Sequence, residues 1–176
     1  FVPPHEPKCK EATMATAIRV GQGFDIHRFE DTPSGRVLVL GGVQFAGERA
    51  LVGHSDADVI AHAIADALLG AASLGDIGQH FPDTDPKWAG VDSLLLLSHV
   101  VELVKENGFE IGNVDCSVVC EKPKLAPHRE EMQRKLMDVV GAPVSVKGRR
   151  AEGLGALGRQ EGIACWAVCV IERVAQ

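Results

Sequence analysis

Two short stretches of this chain place histidine beside acidic residues. The first, "VGQGFDIH", ends in Asp25 and His27, and the second, "GHSDADVIAHAIADALLG", contains His54 and His62. Alternate residues of a β-strand point to the same face, so Asp25 and His27 are expected side by side. One carboxylate and two imidazoles suit zinc, and three protein ligands with an open fourth position are typical of catalytic zinc. We therefore predict that Asp25, His27 and His62 bind one zinc ion per subunit.

The spacing of these residues leaves other interpretations open. A core histidine that is hydrogen-bonded to a neighbouring aspartate also produces a D-x-H pattern, and it needs no metal. Asp58, His62 and Asp66 lie four residues apart and form one polar stripe on an otherwise apolar helix. Asp58 could simply start that helix, where the helix dipole favours a negative charge. Asp66 could orient a histidine that binds the metal.

The elements that must position these residues follow from the apolar pattern. "AIRVGQGFDIH" predicts a first strand and "RVLVLGGV" predicts a second, Arg36–Val43. The segment Asp56–Leu69 predicts a helix that Ser55 or Asp56 caps and that Gly70 ends. Two later helices, "VDSLLLLSHVVELVKENG" and "PHREEMQRKLMDVVG", are interspersed with the strands "VDCSVVCE", "PVSVKG" and "GIACWAVCVIERV".

This order of elements predicts the α+β class. We expect a two-layer sandwich in which one mixed β-sheet is covered by helices on one face, with a ferredoxin-like topology. The 176 residues suit one domain. We assign the polar segment at residues 1–17 to an N-terminal extension and residues 18–176 to a single domain.

Composition excludes several classes of partner. The formal net charge of −6 argues against nucleic acid. No apolar run approaches the roughly 18 residues of a membrane-spanning helix, so no membrane partner is expected. The five cysteines form no C-x-x-C pair, and they are expected to be reduced thiols of a cytoplasmic protein.

Several segments from Arg19 onward match one known family. They include "GFDIH", "GHSDADVIAHAIADALLGAASLGDIG", "HFPDTDP", "KPKLAPH" and "GRQEGIA". On these motifs, of which the second is long and specific, the chain resembles the 2-C-methyl-D-erythritol 2,4-cyclodiphosphate synthase family. The resemblance implies a homotrimer with active sites between subunits. It also implies a phosphorus–oxygen lyase of the non-mevalonate route to isoprenoid precursors.

The substrate that the resemblance implies is linked to cytidine diphosphate. The enzyme would convert 4-diphosphocytidyl-2-C-methyl-D-erythritol 2-phosphate into 2-C-methyl-D-erythritol 2,4-cyclodiphosphate and release CMP. The attacking group would be the substrate's own 2-phosphate, which is already anionic at neutral pH. No serine or cysteine nucleophile is therefore needed, and the main task of the protein is to hold the substrate in the reactive geometry.

By position, the resemblance also implies roles for individual residues. Asp25, His27 and His62 match zinc ligands, and Glu152 matches the ligand of a second divalent ion, Mg²⁺ or Mn²⁺, that binds with the diphosphate. His54 matches a residue that aids the transition state. The positions that match substrate contacts are Asp25, His27, His54, Ser55, Asp76, Ile77, Gly78, Phe81, Pro82, Asp83, Thr84, Asp85, Cys120, Glu121, Lys122, Pro123, Lys124, Leu125, Ala126, Arg149, Glu152 and Arg159.

Two groups of these positions have distinct roles in the family. The segment from Phe81 to Asp85 matches a mobile loop over the methylerythritol, and the segment from Cys120 to Ala126 matches the cytosine pocket. Arg159 matches a charged residue of the cavity along the trimer axis, where Ala156 replaces a phenylalanine that is common in the family. The resemblance therefore leaves open whether an isoprenoid diphosphate binds in that cavity.

The segment "KGRRAEG" departs from the family pattern, which is threonine-rich before the glutamate. Arg150 occupies the position of a threonine that contacts the transition state. An arginine can bind phosphate through two parallel hydrogen bonds, so we predict that Arg150 takes a catalytic role. A solvated basic loop and a residue too bulky for the site are the alternatives.

Two other functions remain open from the sequence. A zinc phosphohydrolase of nucleotide diphosphates would use a water molecule as nucleophile and release two acyclic products. A non-catalytic trimeric nucleotide-binding protein would bind cytidine nucleotides without releasing CMP. The reaction product distinguishes all three functions.

Overall fold

The computed structural model describes residues 18–174, and the predicted extension, residues 1–17, lies outside them. Two short 3₁₀ turns, Pro86–Trp88 and Ala126–His128, accompany the regular elements. The strands are β1 (Ile18–Arg28), β2 (Leu38–Leu40), β3 (Val43–Phe45), β4 (Phe109–Val119), β5 (Val144–Arg149) and β6 (Gly162–Arg173). The helices are α1 (Val59–Ala72), α2 (Ile77–His80), α3 (Ser93–Glu106), α4 (Arg129–Val140) and α5 (Gly155–Gly158).

Four of the strands form one mixed sheet in the order β1-β6-β4-β5. Strand β6 runs antiparallel to β1 and β4, whereas β5 runs parallel to β4. Helix α1 packs on β1 and β6, α4 packs on β5, and α3 lies against both helices. The α+β class, the mixed sheet and its layer of helices are therefore confirmed.

The order of elements differs from the ferredoxin-like arrangement in one respect. A ferredoxin-like chain runs β-α-β-β-α-β, so the two strands that follow each other directly in sequence lie in the middle of the chain. Here β4, α4 and β5 form a unit of two neighbouring parallel strands. The two strands that follow each other in sequence without a long helix, β5 and β6, come last instead, with only the short helix α5 between them.

Helix α1 lies unusually close to β1 because two glycines face it. A Cβ atom at Gly21 would lie 1.9 Å from the carbonyl oxygen of Ala67, and one at Gly23 would lie 2.0 Å from that of Ala63. Any larger residue would push the helix away from the strand. Since Gly21, Gly23, Asp25 and His27 alternate along β1, the same face that admits the helix also carries the two predicted metal ligands.

The predicted strand Arg36–Val43 is wrong as a single element. Gly41 and Gly42 have φ angles of 57° and 72°, and these values allow a tight two-residue turn between β2 and β3. Both glycines donate their N–H groups to the Asp58 carboxylate, at 2.9 and 2.7 Å. The turn is thereby tied to the start of α1.

The predicted bounds of the first helix also need correction. Asp58, rather than Ser55 or Asp56, caps α1, because its carboxylate accepts hydrogen bonds from the N–H groups of Ile60 and Ala61. This agrees with the interpretation of Asp58 as a helix-start carboxylate. Gly70 lies inside the helix, which ends at Ala72 and is closed by Ser73 in the left-handed conformation.

The face of the sheet that turns away from the helices is largely apolar along β1 and β6. Phe24 and Trp166 stack on it with their ring centroids 4.8 Å apart, and they are 43% and 40% exposed. Ile18, Val20, Ile26 and Val168 are also exposed on this face. None of the helices in residues 18–174 is both long and apolar enough to span a membrane.

Candidate metal and substrate site

The strand and the helix bring the three predicted metal ligands together. Asp25 Oδ2 lies 3.0 Å from His27 Nε2 and 3.0 Å from His62 Nδ1, and the two histidine nitrogens are 3.3 Å apart. Ligand atoms at roughly 2.0–2.1 Å from a tetrahedral ion lie about 3.4 Å from one another. The three atoms therefore outline one face of a coordination tetrahedron of the right size.

The outer hydrogen bonds of both histidines leave lone pairs that point into this cluster. The Val52 carbonyl can only accept, so His27 donates its Nδ1–H to it at 2.9 Å and keeps a bare Nε2. The Ser93 hydroxyl donates its proton to Asp56, so His62 Nε2–H donates to Ser93 Oγ at 2.9 Å. The Nδ1 atom of His62 then carries a lone pair.

Three electron-rich atoms so close together require a cation between them. In the absence of a metal, that cation is a proton. Burial opposes charge on Asp25 and His27, but the hydrogen bonds and opposite charges around each residue together outweigh burial. They lower the pKa of Asp25 far below its usual value and raise the pKa of His27. The three donor atoms and the distances between them fit a divalent metal.

Asp66 does not orient a histidine. Its carboxylate accepts a hydrogen bond from the N–H of Ile77 at 2.8 Å, which fixes the start of α2. The groups that orient the histidines are Val52 and Ser93, with Ser55 Oγ 3.1 Å from His62 Nε2. The interpretation that Asp66 orients a histidine is therefore wrong, although Asp66 still positions the start of α2 beside the metal cluster.

A cavity of about 290 Å³, here called the metal cavity, opens beside this cluster. It brings together residues that lie far apart in the sequence, on β1, α1, α2 and the loops that precede α1 and follow α2. His54 Nε2–H donates to the Asp85 carbonyl at 3.1 Å. This contact joins the predicted mobile loop Phe81–Asp85, here called the lid, to the cavity wall. The predicted site residues that line the metal cavity are His27, His54, Ser55, His62, Ile77, Gly78, Phe81 and Asp83.

A second cavity of about 250 Å³, here called the nucleotide cavity, lies where β4 and β5 end. The predicted residues Cys120, Glu121, Pro123, Lys124, Leu125, Ala126, Arg149 and Arg150 line it. Arg150 is paired with Glu121: its Nη2 and Nε lie 2.7 and 2.8 Å from Glu121 Oε2. The Glu121 side chain is only 6% exposed, so this ion pair fixes the arginine at the cavity wall.

The two cavities share no lining residue within one subunit. Asp25 and His27 belong to β1, whereas Arg149 belongs to β5, and these strands form opposite edges of the sheet. Three interstrand spacings separate the edges by about 14 Å. The chain thus carries two separate cavities.

Other predicted site residues lie outside both cavities. Asp76 caps α2 and Asp85 caps the turn Pro86–Trp88 with their carboxylates. Glu152 is exposed, has a φ angle of 53°, and lies outside the metal cluster. Arg159 pairs with Glu161 at 2.6 Å. Pro82 and Thr84 are exposed in the lid, and Lys122 lines a neighbouring cleft of about 820 Å³.

Sequence reasoning missed several residues of these cavities. Trp88 and Leu96 line the metal cavity and Arg129 lines the nucleotide cavity. Ser93 reaches His62 only because α3 packs on α1, and no local pattern marks it. The carbonyl of Val52 acts through the backbone, so its residue type carries no signal.

Comparisons with known proteins agree with this architecture. The model of the YgbB family matches residues 18–172. A relative from Nostoc sp., named 2-C-methyl-D-erythritol 2,4-cyclodiphosphate synthase, is 53% identical over 161 residues, which make up 90% of this chain and 96% of the relative. A Plasmodium falciparum IspF, solved as a CDP complex, has a TM-score of 0.78 at 32% identity, covering 92% of this chain and 99% of that one.

The bifunctional IspDF from Campylobacter jejuni is also similar in structure. Its TM-score is 0.85 at 39% identity, and the match covers 90% of this chain. The chain spans only 43% of the length of that bifunctional protein. The similarity therefore concerns one part of IspDF.

Proposed function

This chain belongs to the YgbB family, and from that membership we propose that it converts 4-diphosphocytidyl-2-C-methyl-D-erythritol 2-phosphate to 2-C-methyl-D-erythritol 2,4-cyclodiphosphate. The reaction releases CMP and is a lyase step in isoprenoid biosynthesis by the non-mevalonate route. One observation carries the proposal: the cluster of Asp25, His27 and His62 opens into the same cavity as His54.

We propose that the metal of this cluster is zinc, one ion per subunit, held by Asp25 Oδ2, His27 Nε2 and His62 Nδ1. Mixed nitrogen and oxygen ligands in a tetrahedral arrangement with one open position support zinc over magnesium, which prefers six oxygen ligands. When bound, the ion would supply positive charge that stabilises negative charge on a phosphate oxygen of the substrate. A second divalent ion, Mg²⁺ or Mn²⁺, would bind with the diphosphate at Glu152.

The residues of the chain then bind and orient the substrate. In the reaction, a 2-phosphate oxygen forms a bond to the β-phosphorus, the bond from that phosphorus to the CMP oxygen breaks, and CMP leaves with both electrons of that bond. His54 carries an N–H group at Nε2, which can donate a hydrogen bond to a phosphate oxygen in place of the Asp85 carbonyl. Arg149 and Arg150 supply positive charge beside the diphosphate.

The protein need not provide a nucleophile. Burial raises the pKa of the Cys120 thiol, which lines the nucleotide cavity, to about 11, so the thiol stays protonated at neutral pH. Four cysteines of the described chain are free and buried, at positions 116, 120, 165 and 169. They support the proposal of a reducing, cytoplasmic compartment.

We also propose that the active protein is a homotrimer that binds cytidine nucleotides between subunits. The apolar open face of the sheet supports assembly, because contiguous exposed apolar surface commonly marks an interface. The separation of the metal cavity from the nucleotide cavity within one chain supports the proposed trimer further. A neighbouring subunit would bring its nucleotide cavity to the metal cavity of the first, and the site would be incomplete without that neighbour.

The test combines metal content with product identity. We expect the purified protein to hold zinc, to release CMP from the substrate, and to yield the cyclic diphosphate. His62→Ala should lose most of the zinc and the activity, while His99→Ala, which removes a histidine outside the cluster, should keep the zinc. Acyclic products would favour a phosphohydrolase, and nucleotide binding without CMP release would favour a binding protein.

A further inference from the structure

We infer that Arg36 is a positioning residue for the metal cavity, because its guanidinium holds the backbone on both sides of His54. Its Nη1 donates to the Gly53 carbonyl at 2.7 Å, and its Nη2 donates to the Ser55 carbonyl. A guanidinium carries its donors in a rigid planar fork, so it fixes two carbonyls relative to each other. The inference rests on the proposed function, since it concerns the same cavity.

The backbone that Arg36 holds serves three groups of the site. The Val52 carbonyl, next to Gly53, accepts from His27 and so sets the tautomer of that metal ligand. Ser55 Oγ lies 3.1 Å from His62 Nε2 and shares the orientation of the second ligand with Ser93. His54 lies between the two carbonyls, and its ring lines the metal cavity. A shift of this backbone would therefore move all three groups together.

Backbone contacts hold the opposite side of the same segment. Gly90 N–H donates to the His54 carbonyl at 2.8 Å, and Asp56 N–H donates to the Val91 carbonyl at 3.0 Å. These contacts do not depend on Arg36. A variant without the guanidinium should therefore still fold, with the carbonyls of Gly53 and Ser55 turned to water and His54 held only by its contacts with Gly90 and Asp85.

The loop before β2 is organised to present Arg36. Glu30 accepts a hydrogen bond from Ser34 N–H at 3.1 Å, and Ser34 Oγ accepts one from Arg36 N–H at 3.3 Å. Gly35, with a φ angle of 84°, allows the chain to turn between these residues. The guanidinium thus reaches the carbonyls from an ordered turn rather than from a free surface side chain.

The experiment compares Arg36→Gln and Arg36→Lys with Arg134→Gln, which removes an exposed arginine that is paired with Asp138 on α4. Three quantities are measured for each protein: zinc retained against a competing chelator, kcat and KM for CMP release, and the unfolding temperature. For Arg36→Gln we expect kcat to fall by about 10- to 100-fold with little change in KM, and zinc to be lost faster. Arg36→Lys keeps the positive charge on a single nitrogen but loses the planar fork, and it should lie between Arg36→Gln and the wild type.

Two controls keep this test decisive. The inference is overturned if folded Arg36→Gln matches Arg134→Gln in both kcat and zinc retention, or if its losses of activity and of zinc both equal its unfolded fraction. A loss of either quantity beyond that fraction supports the inference. If the wild-type protein releases no CMP, the proposed function fails instead. Zinc retention by Arg36→Gln still tests the positioning role in that case.

Discussion

At the scale of residues, hydrogen bonds at the edge of the metal cluster orient the histidine rings so that their lone pairs point to its centre. Each histidine gives its only ring proton to an oxygen outside the cluster, namely the Val52 carbonyl and Ser93 Oγ. The Ser93 oxygen is itself constrained, because its own proton goes to Asp56. The lone pairs are therefore aimed at the metal before the metal arrives, and less binding energy is used to order them.

This arrangement predicts how zinc stabilisation depends on pH. Burial opposes charge on both residues, but the surrounding hydrogen bonds and opposite charges together raise the pKa of His27 above 6.5 and lower the pKa of Asp25 below 3.8. In the metal-free protein, the contribution of His27 to stability is present below pH 6.5 and is lost as the pH rises through its raised pKa. The contribution of Asp25 is present above pH 3.8 and is lost as the pH falls through its lowered pKa.

The ion pair thus stabilises the metal-free protein most between about pH 4 and 6.5, where a proton competes with zinc for His27. We expect zinc to raise the unfolding temperature more at about pH 7.5 than at about pH 5.5. Scanning calorimetry with and without zinc measures the difference. The same increase at both pH values would contradict the assignment of His27 as a ligand.

Arg150 provides a second prediction at this scale. If its charge faces the diphosphate, Arg150→Thr should lower kcat/KM for CMP release by about ten- to a hundredfold, because a charge-assisted hydrogen bond is lost. If Glu121 serves to hold the arginine, Glu121→Gln should add little to that loss in the double variant. Unchanged kcat/KM in both Arg150→Thr and Arg150→Ala would remove Arg150 from the active site.

At the scale of elements, the metal site depends on the close approach of α1 to β1. Gly23→Ala should destabilise the protein by about 1–3 kcal/mol and weaken zinc binding, because its Cβ would meet the Ala63 carbonyl and push α1 outwards. Gly70→Ala is the matched control, since a Cβ there meets nothing within 4 Å and alanine favours a helix. Denaturant unfolding and zinc retention distinguish the two. Equal stability of both variants would contradict the role of the close approach.

The elements also show what the sequence could predict. The period-two spacing predicted that Asp25 and His27 share one face of a strand, and the period-four spacing placed His62 on a polar stripe of a helix, because both spacings are local. The family resemblance predicted that the three residues form one set of metal ligands. The cap of α1 was misplaced because Ser55, Asp56 and Asp58 are all good capping residues, and only the Gly41–Gly42 turn selects Asp58. The strand order and the contact of Ser93 with His62 depend on long-range packing, which no local spacing encodes.

At the scale of the whole molecule, the open sheet face and the separation of the two cavities both support the proposed trimer. We expect the wild-type protein to sediment at three times the mass of the chain. Trp166→Glu should dissociate it and abolish CMP release, because a charge would be buried in the interface. Leu95→Glu, which alters an even more exposed apolar residue on α3, should remain trimeric and active. A fully active monomer of Trp166→Glu would refute the shared site.

The position of the two cavities on opposite edges of one sheet has a genetic consequence. A chain defective only in the metal cluster and a chain defective only in the nucleotide cavity would each be inactive alone. Coassembled in one ring, the first contributes an intact nucleotide cavity and the second an intact metal cluster, and at one junction the two intact halves meet. Equal random mixing would restore about a quarter of all sites. Two recessive alleles of this one gene should therefore complement each other.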